Sequence, residues 1–86
     1  MQQVEQYNGQ TERGRMVREN SLQECVESLA FAANRDPAKV VTLQVEVVGR
    51  PLWYVYEDQA ALDRDAVFGG ERVHWFALIN TGEAAP

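Results

Sequence analysis

"VVTLQVEVVGRPLWYVYED", residues 40–58, decides the fold. Its first half is β-branched and alternates apolar with polar residues, the pattern of a strand with one face in a core and the other in solvent. Its second half, "PLWYVYED" at 51–58, is apolar on both sides. Gly49-Arg50 between them reads as a two-residue hairpin loop of the II′ kind, with glycine in the first position. That loop predicts a register. Val47 faces Leu52, Val45 faces Tyr54 and Leu43 faces Tyr56 on one side, while Glu46 faces Trp53 and Gln44 faces Val55 on the other. The first side collects the apolar residues of both strands and is expected to be the core face. Trp53 and Val55 are then expected to point outward.

Upstream, the spacing predicts a helix over 22–34. Ser21 and Glu24 have the S-x-x-E spacing of a capping box, which satisfies backbone N–H groups left unpaired in the first turn. Leu22, Cys25, Val26, Leu29, Ala30 and Ala33 recur at helical spacing, with Gln23, Glu24, Glu27 and Ser28 opposite. Asn34 suits the left-handed residue that ends a helix, and Asp36-Pro37 opposes continuation.

Downstream, "RVHWFALI" at 72–79 reads as a third strand introduced by Gly69-Gly70. Val73, Trp75, Ala77 and Ile79 share one face and His74, Phe76 and Leu78 the other, so this strand is expected at the centre of a sheet or at an interface. Between the strands, Asp58 can cap a short second helix near 58–66, an acidic loop being the competing reading. Residues 1–20 hold few large apolar side chains and support only a short edge strand near 13–18. Residues 81–86 are expected to form a flexible tail. The expected fold is α+β: one amphipathic helix packed on a small antiparallel sheet of three to four strands, in a single domain over 21–80.

With 86 residues, 45% hydrophobic and 24% charged, the chain has the profile of one small globular domain with a thin core. No apolar run reaches the roughly 20 residues needed to cross a bilayer, and the opening "MQQVEQYNGQ" lacks the basic-then-apolar pattern of a secretory signal. No membrane association is expected and a cytoplasmic location follows by default. Cys25 has no second cysteine to pair with, and Cys25 with the single histidine, His74, falls short of a zinc site. On the buried stripe of its helix, Cys25 reads as an inert filler. A net charge of −5 with one lysine argues against nonspecific binding to nucleic acid.

The imbalance is concentrated in one segment, where Glu57, Asp58, Asp63, Asp65 and Glu71 are set against Arg64 alone. The calcium-loop pattern is absent from it, and no glycine loop that would cradle a phosphate accompanies it, so neither a metal nor a cofactor is expected. His74 beside Trp75-Phe76 raises the alternative of a small enzyme or ligand-binding domain with a base in an aromatic pocket. No serine or cysteine motif supplies the nucleophile. Arg13, Arg15 and Arg18 raise a second alternative, nucleic-acid binding, which three interleaved glutamates and the lack of a stacking aromatic oppose.

One helix covers one face of a small sheet. What remains is Trp53, Val55 and Trp75, expected as a protein-interaction surface, with Asp58, Asp63, Asp65 and Glu71 as its charged rim. In size, acidity and its lone cysteine the chain looks like many accessory and inhibitor proteins of bacteria, phages and plasmids, although no motif carries the likeness. The function expected is a non-catalytic protein-binding module, an inhibitor or accessory regulator. It would bind a protein partner or a second copy of itself as a homodimer, and an acidic rim of this kind can imitate nucleic acid.

Overall fold

Seven elements follow one another along the computed structural model, which describes residues 5–67 and 71–83. They are β1 (Glu5–Thr11), β2 (Met16–Glu19), α1 (Leu22–Ala32), β3 (Val41–Val47), β4 (Arg50–Tyr56), α2 (Gln59–Val67) and β5 (Trp75–Glu83). The strands form one antiparallel sheet in the order β2-β1-β5-β4-β3. The fold is therefore α+β with five strands rather than three or four, and with the second helix near 58–66 in place.

The two additional strands come from the segment that supported only an edge strand. β2 is that edge strand, at 16–19. β1 lies inside the sheet, paired on one side with β2 and on the other with β5. β5 is the central strand, as its two apolar faces suggest, but it starts at Trp75 and runs on to Glu83. The expected tail at 81–86 is thus strand as far as Glu83, where Glu5 pairs with Glu83 and Tyr7 with Thr81. Residues 84–86 lie outside the described residues.

Helix α1 starts at its expected cap, the Ser21 Oγ accepting the Glu24 N–H at 3.1 Å. It ends two residues early, with Ala33 as C-cap and Asn34 left-handed at φ +58°.

The 40–58 hairpin forms with a different turn. Val48 and Gly49, at φ +52° and +75°, make the loop, so Val47 pairs with Arg50, Val45 with Leu52, Leu43 with Tyr54 and Val41 with Tyr56. Two consecutive left-handed residues give a type I′ turn, not the II′ turn expected at Gly49-Arg50. The shift moves each partner by two residues. The division of the ribbon into two sides survives, because side chains alternate with a period of two.

Which side is inward is reversed. Across the sheet, Gln44, Trp53, Ile79, Gly9 and Val17 form one lateral row, and Thr42, Val55, Ala77 and Thr11 the next. Helix α1 packs on this face, and Cys25, Leu29, Trp53, Val55, Phe76, Ala77 and Ile79 form the core cluster. Trp53 and Val55 are buried, correcting their expected outward orientation. Tyr7 reinforces the site, its ring centroid 5.6 Å from that of Trp53.

The helix seat is Gly9. A Cβ there would lie 2.6 Å from Leu29 Cδ1, 3.0 Å from Leu29 Cγ and 3.1 Å from Cys25 Sγ, so the helix rests directly on the backbone of β1. Gly9→Ala overpacks this contact, and we expect it to lower stability by about 1–3 kcal/mol in urea unfolding. The opposite sign is expected at the turn. Val48 is 96% exposed and β-branched in a left-handed conformation. Val48→Asn relieves that strain without losing packing and should raise stability by about 1 kcal/mol, read as a higher urea midpoint at unchanged slope.

Candidate protein-interaction surface

With α1 occupying one face, the other face of the sheet presents a second set of side chains. Leu43, Tyr54 and Leu78 form one row across β3, β4 and β5, and Val45, Leu52 and Asn80 the next. Leu43, Val45, Leu52, Tyr54, Leu78 and Trp75 are all half-buried, and Val47 at the end of β3 is about half exposed. Trp75 meets Tyr54 edge-on at 5.9 Å, and the Arg72 guanidinium lies 5.0 Å from the Tyr54 ring centre. Across β1 and β2 the same face is mostly polar, with Asn8, Gln10 and Arg18, the Arg18 Nε donating to Asn8 Oδ1 at 2.9 Å, and with Met16 an exposed apolar residue at the β2 edge. The apolar part is thus a bounded patch over β3, β4 and β5.

Helix α2 closes one end of this patch. It packs against β3 and β4, and its start is capped by Asp58, whose Oδ1 accepts the Ala61 N–H at 2.9 Å. Tyr56, Ala61 and Asp65 are buried there. The Asp65 carboxylate accepts the backbone N–H groups of Val73 at 2.9 Å and His74 at 3.2 Å, which ties α2 to the chain entering β5.

Burial works to raise the Asp65 pKa, but the neighbouring Tyr56 hydroxyl, the two backbone donors and the nearby His74 imidazole outweigh it and hold the carboxyl below its usual value. We attribute most of the lowering to the backbone donors, because the Tyr56 hydroxyl lies beside Asp65 without a hydrogen bond of good geometry. Burial, and then the Asp65 carboxylate, push the Tyr56 phenol above its ordinary value, with Arg72 opposing.

The sequence-selected residues divide accordingly. Trp75 belongs to the open face. Trp53 and Val55 lie on the opposite side, beneath α1. Of the acidic rim, Asp65 is turned inward and structural, Asp58 caps α2, and Asp63 accepts from Gln59 Nε2 at 3.0 Å. Asp63 and Glu71 are the exposed ones. Glu57 is engaged by Arg35 at 2.9 Å. His74 is half-buried just ahead of β5, its backbone committed to Asp65. Among the described residues no three His, Cys, Asp or Glu side chains converge on a point that would hold a metal ion.

The arginine triplet is split as well. Arg13 and Arg15 join Arg35, Glu12, Asn34 and Phe76 around an open cleft of about 660 Å³ at the β1–β2 turn, whereas Arg18 lies on the open sheet face. Arg35, three residues beyond the end of α1, lies 5.4 Å from the Phe76 ring centre and is paired with Glu57.

Cys25 is fully buried, its thiol pushed up to about 11 by burial and by Glu19, with Sγ donating to the Tyr7 carbonyl at 3.6 Å. Among the described residues, no helix is long and apolar enough to cross a membrane.

Of the residues that sequence reasoning placed in the core, Leu29 and Tyr56 are fully buried, whereas Leu43, Val45, Leu52 and Tyr54 lie on the open face. The signal that would have located α1 is Gly9: a glycine among the residues of a strand marks a close approach of another element. No family model, no curated protein and no solved structure matches this chain.

The Asp65 linkage has a defined sign. Its pKa is lowered in the folded state, so its contribution to stability is complete above the ordinary carboxylate range and is lost as pH falls through the lowered native value. Asp65→Asn should be less stable than the parent at pH 7, with the gap closing on acidification. A gap independent of pH would contradict the role of the charge.

Proposed function

We propose that this protein is a non-catalytic protein-binding module, an accessory or inhibitory protein that engages its partner through the open sheet face. What supports the reading is one feature, the bounded patch of Leu43, Val45, Leu52, Tyr54, Trp75 and Leu78 that α1 leaves uncovered and α2 closes at one end only. Contiguous apolar surface of this kind is uncommon on monomers, and aromatic side chains on it are the usual anchors of association. Tyr54 and Trp75 are such anchors, already held edge-to-face and so bound with little further loss of side-chain freedom.

The partner's matching surface is apolar at its centre. The rim it meets at the α2 end is mixed, with Arg72 over Tyr54 and the carboxylates of Glu71 and Asp63 in solvent. Mimicry of nucleic acid has less support, since two of the four carboxylates of the expected rim are taken up by folding.

The test is a purified binary complex. A partner recovered from the native host is reconstituted with the wild-type chain, with Leu43→Asp, with a Tyr54→Ala/Trp75→Ala double variant, and with Gln10→Glu on the polar half of the same face. We expect affinity to fall by about 100-fold or more for the first two with circular dichroism and thermal midpoint retained, and no change for Gln10→Glu. Binding indifferent to the first two would remove the face from the interaction.

A further inference from the structure

The sheet has two edges, and they are unequal. β2 is four residues long, carries Arg18 and follows the glycine turn at Gly14. β3 is seven residues long, regular in its pairing with β4, and contains neither proline nor a basic residue. Natural edges are commonly protected by shortness, bulges, proline or lysine, and β3 has none of these.

The hairpin shows which backbone groups are free. In a two-residue type I′ hairpin the pair flanking the loop exchanges both hydrogen bonds, so Val47 and, at every second residue, Val45, Leu43 and Val41 direct N–H and C=O toward β4. Thr42, Gln44 and Glu46 therefore direct theirs to the open edge. Their side chains share the helix-side face, where β3 is polar. This arrangement is self-complementary about Gln44, the middle residue of the strand. An antiparallel copy centred there places Gln44 against Gln44, Thr42 against Glu46, Leu43 against Val45 and Val41 against Val47. All three outward-facing residues are used, giving about six backbone hydrogen bonds. Apolar residues meet apolar ones, and each Glu46 meets a threonine. A copy centred on Glu46 would instead oppose two carboxylates.

We propose that the chain forms a two-fold homodimer by antiparallel pairing of β3 with β3 of a second copy, centred on Gln44. The axis runs perpendicular to the sheet, so both copies present the same face and the two apolar patches join into one surface across a continuous ten-stranded sheet. The inference stands on the edge of β3, which has no strand partner among the described residues, and holds whether or not the open face binds another protein.

Sedimentation equilibrium of the full chain tests it. The wild type should be dimeric. Gln44→Pro should be a folded monomer, because the N–H it removes points away from β4 and the internal ladder stays intact. Gln44→Lys, which keeps that N–H and sets like charges together on the axis, guards against a folding defect in the proline variant and should also be monomeric. A wild type that remains monomeric at its solubility limit overturns the dimer, and it leaves the open-face reading untouched if partner binding still depends on Tyr54 and Trp75. A dimer that survives both Gln44 variants and is lost in Tyr54→Ala/Trp75→Ala is a face-to-face stack. That too overturns the edge pairing.

Discussion

The contact on which the rest of the structure depends is the seating of α1 on Gly9. An 11-residue helix buries only a narrow stripe, and here the stripe is Cys25 and Leu29 set against a bare strand backbone. That close approach joins Cys25 and Leu29 to Trp53, Val55, Phe76, Ala77 and Ile79 in one cluster, with Tyr7 packed against it, so one short helix closes a core that includes residues of β4 and β5. A small domain buries a modest share of its surface, so economy of this kind matters. The same economy leaves the second face of the sheet uncovered, because the chain's other helix has nine residues and sits at one end. The half-buried apolar patch on the open face is a consequence of where the first helix is anchored.

The acidic segment has a part in this arrangement that charge counting does not suggest. Asp58 starts α2 and Asp65 ends its work by gathering two backbone N–H groups from the strand entry, so two carboxylates act as connectors within the chain. A buried carboxylate is tolerated when hydrogen-bond donors replace its hydration, which Val73 and His74 do. Arg35 with Glu57 adds a link from the end of α1 to the end of β4. The charges left in solvent are fewer than the sequence total implies. A functional reading based on the apolar face is accordingly firmer than one based on the rim.

Legibility followed the strength of local physics. The α1 cap and stripe, the 40–58 hairpin and the central position of β5 were readable, because each is encoded by periodicity or by a side chain bonding its own neighbourhood. β1 was not, and the reason is its place in the fold. Its helix-side positions are Tyr7, Gly9 and Thr11, small where α1 rests, and its other face carries Gln6, Asn8 and Gln10, so no apolar alternation marks a strand that is nevertheless paired on both sides. The turn was misread by one position because Gly49 occupies the second left-handed site, with Val48 in the first against its own preference. The candidate surface was legible only as a kind: the sequence implies one apolar face too many, with an aromatic on each side.

By itself the sequence determined which side chains of the hairpin travel together, Leu52, Tyr54 and Tyr56 with Leu43 and Val45, and Trp53 and Val55 with Thr42 and Gln44. Alternation preserves that partition for any loop with an even number of residues, since the register then shifts in steps of two; an odd loop would exchange the sides. Only the tertiary structure decided which of the two lies under the helix. A hairpin has no inside until a third element chooses one. Here the choice is made by β5, which places Ile79 between Trp53 and Gly9, and by the glycine that admits the helix to that row and no other.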